Sequence, residues 1–213
     1  MNFVGHVQVA LGVSDHDLVL LGAILPDVES LLGAVVPDAR EDPDIGLGIA
    51  IHHRTDALFH ADPRFRAGSI ALTRALQGRG VGRGASRGVG HAGWELLLDG
   101  VLATDGRVTE AFAGAAQALA RVASRAGAPE ADRLARFAAA QRDTPIWDGY
   151  ADPSAVALRL HRQLQGRPRL AFPAEHLDRV VRELTAAHAE VQLLGPGLAA
   201  DIAAAVAAEA PGT

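Results

Sequence analysis

Two histidine–carboxylate pairs stand at helical spacing in this chain, His52 with Asp56 and His91 with Glu95. Residues four apart share a helix face, with Cβ atoms ~5–6 Å from each other. An imidazole and a carboxylate so placed can close on one metal ion, as two imidazoles do in an H-x-x-x-H helix. A hydrogen-bonded pair on a solvated face has the same spacing, so one pair alone carries little. Both pairs here sit inside otherwise apolar segments, where a carboxylate without partners is costly. Two further residues join them. His6 interrupts the apolar run Phe3–Val7, and Asp27 follows the apolar stretch ending at Pro26. The plain alternatives are a hydrogen-bonded core histidine for His6 and a helix N-cap for Asp27. Taken together, the six offer three imidazoles and three carboxylates, a mixed nitrogen and oxygen set that suits Mn²⁺, Fe²⁺ or Zn²⁺. We expect His6, Asp27, His52, Asp56, His91 and Glu95 to converge on one divalent-metal site. Such a site acidifies bound water and clamps phosphate oxygens, so the chemistry implied is hydrolysis of a phosphate ester.

Other chemistries are poorly served. The chain has no cysteine, which excludes disulfides, thiolate metal sites and cysteine nucleophiles. No G-K-[ST] follows the glycines of 78–90, so a P-loop is not supported. Trp94 and Trp147 read as core or interface residues. The net charge is −5, and all 20 basic residues are arginine. Six of them, Arg64, Arg66, Arg74, Arg79, Arg83 and Arg87, fall between Pro63 and Gly90, a segment without Asp or Glu. One basic island on an acidic chain argues against broad nucleic-acid binding. It permits a phosphate-bearing or acidic partner to dock in one place, with Arg64, Arg66, Arg83 and Arg87 as the contacts. A solvated arginine face is the bland alternative.

The elements that must position these residues read as helices. At 213 residues, with 49% apolar composition and 4% aromatics, the chain is expected to be one all-α domain whose core is Ala, Leu, Val and Ile. Apolar residues three and four apart dominate, and strand-like alternation is nearly absent. The pattern predicts roughly nine helices. Phe3–Leu11 comes first, then Asp15–Leu25 stopped by Pro26, a brief Ser30–Val36, the long Ile45–Phe59, and one started by Pro63. Gln77–Gly90, rich in glycine and arginine, reads as a mobile loop. Helices resume over His91–Leu102, Thr109–Arg125, Pro129–Gln141 and Ala155–Gln165. The last long helix, Pro173–Leu194, should break at Gly195-Pro196-Gly197. No basic n-region precedes the first apolar residues, and no unbroken apolar stretch is long enough to span a bilayer, so a soluble cytoplasmic protein without membrane partners is expected.

Three segments together resemble a known family: Met1–Val7, Leu21-Gly22-Ala23-Ile24-Leu25-Pro26-Asp27, and Gly48-Ile49-Ala50-Ile51-His52-His53-Arg54-Thr55-Asp56. They look like the acyl carrier protein phosphodiesterases, divergent relatives of the HD-type metal-dependent phosphohydrolases. Trp94-Glu95 is similar to a Trp-Asp pair of that family, and Tyr150 to Leu170 resembles its C-terminal region. The resemblance implies an HD-like all-α fold. It also implies removal of the 4′-phosphopantetheine arm from holo-acyl carrier protein, with Mn²⁺ favoured. Carried over, it places His6, Asp27, His52 and Asp56 at metal positions, with Glu95 in place of an aspartate. Asp27, His53 and Arg54 become the catalytic candidates. The chain departs from the pattern at His53 (usually arginine), at Leu96 (usually histidine) and at His91 (expected to be acidic). A phosphohydrolase acting on a small phosphorylated metabolite, and a non-catalytic module that binds a carrier protein, are the alternatives.

Overall fold

Alanine- and leucine-rich segments at helical spacing build nine α-helices, with no strand among the described residues. The computed structural model describes residues 1–209. The helices are α1 (Phe3–Ala10), α2 (Asp17–Leu32), α3 (Pro43–Ala61), α4 (Pro63–Gly78), α5 (Arg83–Leu102), α6 (Gly106–Val122), α7 (Ala128–Asp143), α8 (Pro153–Leu164) and α9 (Leu177–Glu209). Short 3₁₀ turns stand at Ala39–Glu41, Ala123–Arg125 and Ala174–His176. Three helices start the same way. The carboxylates of Asp62, Asp105 and Asp152 accept from the backbone N–H two residues on, at 2.7, 2.9 and 2.8 Å. Each such cap is worth about 1 kcal/mol. Pro63 and Pro153 follow two of them, where a missing N–H costs nothing.

The chain groups into two compact units. The first comprises Met1–Phe59, Leu102–Ile146 and the end of α9 from Ala199. There α2 packs on α1 and α6, and α6 on α7. Val4, Val7, Leu20, Leu21, Ile24, Phe112 and Leu119 are buried in it. Phe3 meets the rings of Phe112 and Phe137 at 6.5 and 6.2 Å. Two glycines set the crossing of α2 and α3. A Cβ on Gly22 would run into the Ile45 carbonyl, and one on Gly48 into the Val19 carbonyl. The backbones touch only because neither residue has a side chain.

The second unit comprises His60–Val101 and Trp147–Leu198. Its centre is Trp94, fully buried, with Phe65 edge-on at 5.5 Å. Tyr150 is also buried here, and its hydroxyl is pushed up from its ordinary pKa, chiefly by burial.

Three sequence expectations are corrected. Pro26 does not stop α2, which runs on to Leu32. Pro196 and its flanking glycines do not break α9. A proline inside a helix costs ~3 kcal/mol. Buried apolar residues on both sides of each proline, Leu25 and Val28 in α2, Val191 and Leu198 in α9, hold the helix together across it. The third correction concerns 77–90. Only the turn at Arg79–Gly82 separates α4 from α5, and the rest is helix. Its glycines serve close packing. A Cβ on Gly84 would strike the Arg169 carbonyl, and one on Gly90 would strike Thr73 on α4. Ala174–Glu209 is long and apolar enough to cross a membrane. Its buried residues Val180, Leu184, Ala187 and Val191 recur every three or four positions, the pattern of a helix packed along one side.

Candidate metal centre

His6 and His52 supply the nitrogens of a buried group in the first unit. His6 lies on α1, completely buried. Its Nε2 is 3.3 Å from Asp56 Oδ1, 3.8 Å from Asp27 Oδ2 and 3.2 Å from the Met1 carbonyl oxygen. His52, on α3, has its Nε2 3.7 Å from Asp56 Oδ2. The two imidazoles stack at 4.0 Å between centroids. Donor atoms of His6, His52 and Asp56 all lie within 4.8 Å of one another. Atoms that each sit 2.0–2.2 Å from one ion are at most about 4.4 Å apart. The 3.3 and 3.7 Å separations, which run to different oxygens of Asp56, each fall within that limit.

The hydrogen bonds behind the two rings differ. His52 Nδ1 is 2.9 Å from the Ala23 carbonyl oxygen. A carbonyl can only accept, so Nδ1 carries the proton and donates, and the Nε2 lone pair faces Asp56. Protein metal sites orient ligand histidines in this way. The α2–α3 contact at Gly22 and Gly48 brings the Ala23 carbonyl within reach. His6 lacks such support. Its Nδ1 is buried with no hydrogen-bond partner. Ligation through Nε2 would place the proton on that nitrogen. His52 and Asp56 are thus the better-built ligands, with His6 completing the group by position.

Burial keeps both rings neutral, and His6 Nε2, which faces the Met1 carbonyl and the Asp56 carboxylate, directs its proton toward those acceptors in the metal-free protein. Burial pushes the His6 pKa down to about 3, against the hydrogen bond to Asp56. Burial also lowers His52, opposed by the Ala23 hydrogen bond. Both are neutral near pH 7. For Asp56, burial pushes the carboxyl up, but the His6 hydrogen bond and the α-ammonium of Met1 outweigh it and hold the group well below the usual carboxylate range. The Met1 nitrogen donates to Asp56 Oδ1 at 2.9 Å. Asp27, half-buried on α2 one turn past Ala23, reaches the group from the side of His6.

The remaining two expected ligands do not join this group. His91 and Glu95, on α5, form a second one with His60 in the second unit. His60 Nε2 and His91 Nε2 both approach Glu95 Oε1, at 3.2 and 3.3 Å. Their rings stack at 5.1 Å, with Phe65 edge-on to each. Burial pushes the Glu95 carboxyl up, and surrounding positive and hydrogen-bonding groups, His60 and His91 among them, outweigh that and lower it. The expected single site of six residues is therefore corrected to two groups. His60 is the residue that sequence reasoning missed. It stands four positions after Asp56 on α3, at the same spacing that singled out His52.

The other candidates are dispersed. His53 is exposed and meets only the edge of the His52 ring, at 5.3 Å. Arg54 is exposed and paired with Glu209, its Nε donating at 2.8 Å. Neither faces the group as a catalytic residue would. Arg64 folds back on its own cap, with Nε and Nη2 donating to Asp62 at 3.1 and 2.9 Å. Arg79 donates to Glu183 at 2.8 Å. The basic island is thus partly neutralised. Arg66 lines a small cleft with His60 and His91, while Arg83 and Arg87 line a larger one. Leu96, where the resemblance expected histidine, is a buried apolar residue. No family model, no curated protein and no solved structure matches this chain.

Proposed function

We propose that this protein is a metal-dependent phosphodiester hydrolase, with a divalent cation held by His52, Asp56 and His6. The observation that carries the reading is the hydrogen bond from His52 Nδ1 to the Ala23 carbonyl. It aims the free lone pair at Asp56, and a core histidine that only satisfied itself would not need that aim. When bound, the ion supplies a Lewis acid for phosphate oxygens and acidifies water. The chain's own residues do the rest. His52 and His6 present neutral nitrogens. Asp56 supplies the negative charge that a cation requires. Asp27, partly open to solvent and 3.8 Å from His6 Nε2, is placed to accept the proton of an attacking water. The substrate we propose is the 4′-phosphopantetheine arm of holo-acyl carrier protein, on the strength of the Met1–Val7, Leu21–Asp27 and Gly48–Asp56 segments. Mn²⁺ is the proposed metal.

One contact supports a second reading. The Met1 ammonium already neutralises Asp56 at 2.9 Å. A network closed by that amine needs no metal, and the protein would then bind a partner without cleaving it. The test is metal-dependent turnover. Chelated protein is supplied with Mn²⁺, then assayed on bis(p-nitrophenyl) phosphate and, by mass spectrometry, on holo-acyl carrier protein. Turnover restored by Mn²⁺ and lost in Asp56→Asn is expected. A chain that takes up no metal and cleaves neither substrate would be the binding module.

A further inference from the structure

The second unit contains a cleft of about 960 Å³ with an unusual lining. Arg74 on α4, Arg83 and Arg87 on the first turns of α5, and Arg167 and Arg169 after α8 all face it. No carboxylate lines it. None of the five guanidiniums forms an ion pair with a carboxylate among the described residues, in contrast to Arg64 and Arg79. Like charges brought together without counter-charge are unfavourable unless something else justifies them. All five side chains are exposed, and what fixes their neighbourhood is the backbone that carries them. Here a built contact holds it together, because α5 meets the 167–170 turn at Gly84, whose missing Cβ lets the Arg169 carbonyl approach. Arg167 and Arg169 lie far outside the 63–90 island, so the fold assembles a denser positive site than the sequence displays.

We propose that this cleft binds an organic anion carrying two or more phosphate groups. Three features select that class. Guanidinium forks match phosphate oxygens and hold them bidentately. A single phosphate dianion would leave most of five positive charges uncompensated, so the ligand carries more than one such group. The volume lies within the range of small-molecule sites and above what inorganic phosphate fills. Ile70, Leu164 and Leu170 on the wall offer an apolar surface for the organic part. The inference stands apart from the reading of His6, His52 and Asp56 as metal ligands; of the second histidine–carboxylate group, His91 alone lines the cleft, and the binding proposed requires no metal.

The test is calorimetric titration of EDTA-treated full-length protein at low and moderate salt. Orthophosphate, pyrophosphate, ADP and a hexaglutamate peptide are the probes. ADP should bind more tightly than pyrophosphate, and pyrophosphate more tightly than orthophosphate, all weakening with salt. Two independent double variants, R83Q/R87Q and R167Q/R169Q, should each weaken ADP binding about tenfold or more, as loss of charge-assisted hydrogen bonds predicts. Arg125→Gln, an exposed arginine of the first unit, should change nothing. Circular dichroism and melting midpoints establish that each variant is folded, and either double variant alone suffices if the other is not. Orthophosphate binding as tightly as ADP would overturn the proposal. So would folded cleft variants that bind ADP like wild type, or the peptide binding better than ADP, which would make the cleft a docking face for an acidic protein segment. Binding with these ranks and sensitivities sustains the proposal even if no metal-dependent turnover is ever found.

Discussion

Asp56 is the residue on which two accounts of the same geometry part. As a metal ligand, its replacement by asparagine should abolish Mn²⁺-dependent turnover while the fold persists, because the amide keeps the shape and removes only the charge. As half of a part-buried ion pair with the Met1 ammonium, its loss should lower stability, by less than the ~3–5 kcal/mol of a fully buried pair. Urea titration and turnover per folded molecule, measured on the same preparation, separate the two. His6 makes a second prediction. Its pKa falls from 6.5 unfolded to about 3 folded. Between those values the unfolded chain binds the extra proton, so stability of the metal-free protein should decline as pH falls from 6.5 toward 3, by roughly 1.4 kcal/mol per pH unit. Above pH 6.5 this contribution is complete and constant. His6→Gln should flatten that part of the profile in chelator-treated protein. An unchanged slope would mean that His6 is protonated in the folded state. The sequence made these residues visible through their type. A histidine inside Phe3–Val7 and an i, i+4 pair inside an apolar helix are conspicuous without any structure. It did not show the Ala23 carbonyl, since a backbone acceptor from another helix leaves no mark on residue identity.

At the scale of elements, glycines decide whether the group exists. Gly22 and Gly48 let α2 and α3 touch, and that contact delivers the Ala23 carbonyl to His52. Gly48→Ala has no room, because its Cβ meets backbone that cannot swing aside. We expect a loss of about 1–3 kcal/mol or more from overpacking, together with weaker Mn²⁺ binding, read by thermal melts and equilibrium dialysis. Gly197→Ala should behave oppositely. Nothing lies within 4 Å of its Cβ position, and it sits inside α9. Relative to alanine, a glycine there costs about 0.5–1 kcal/mol, so the substitution should raise the melting midpoint. These same residues explain where sequence reading failed. Glycine and proline signal a break when only the local chain is considered. At Gly84 and Gly90 the glycines instead admit a neighbouring backbone or side chain, and at Pro26 and Pro196 buried flanks carry the helix through. A helix start was legible where its signal is local, as at Pro63. Close approach between distant segments has no such local signature.

The whole molecule joins an acidic chain, −5 overall, to two histidine–carboxylate groups, one in each compact unit. Spacing of i, i+4 identifies pairs and says nothing about which pairs share a neighbourhood. Each group is a polar island set beside apolar packing, and a bound cation would stabilise the folded chain by mass action. A ligand present at a hundred times its Kd contributes about 2.7 kcal/mol, so melts of chelated protein should rise with added Mn²⁺. The most direct test of the central claim is the metal content of dialysed protein by inductively coupled plasma mass spectrometry after Mn²⁺ loading, comparing wild type with Asp56→Asn and His52→Gln. Our account predicts retained, stoichiometric metal in wild type and a clear loss in both folded variants. Equal metal content in all three, or none in any, would contradict it.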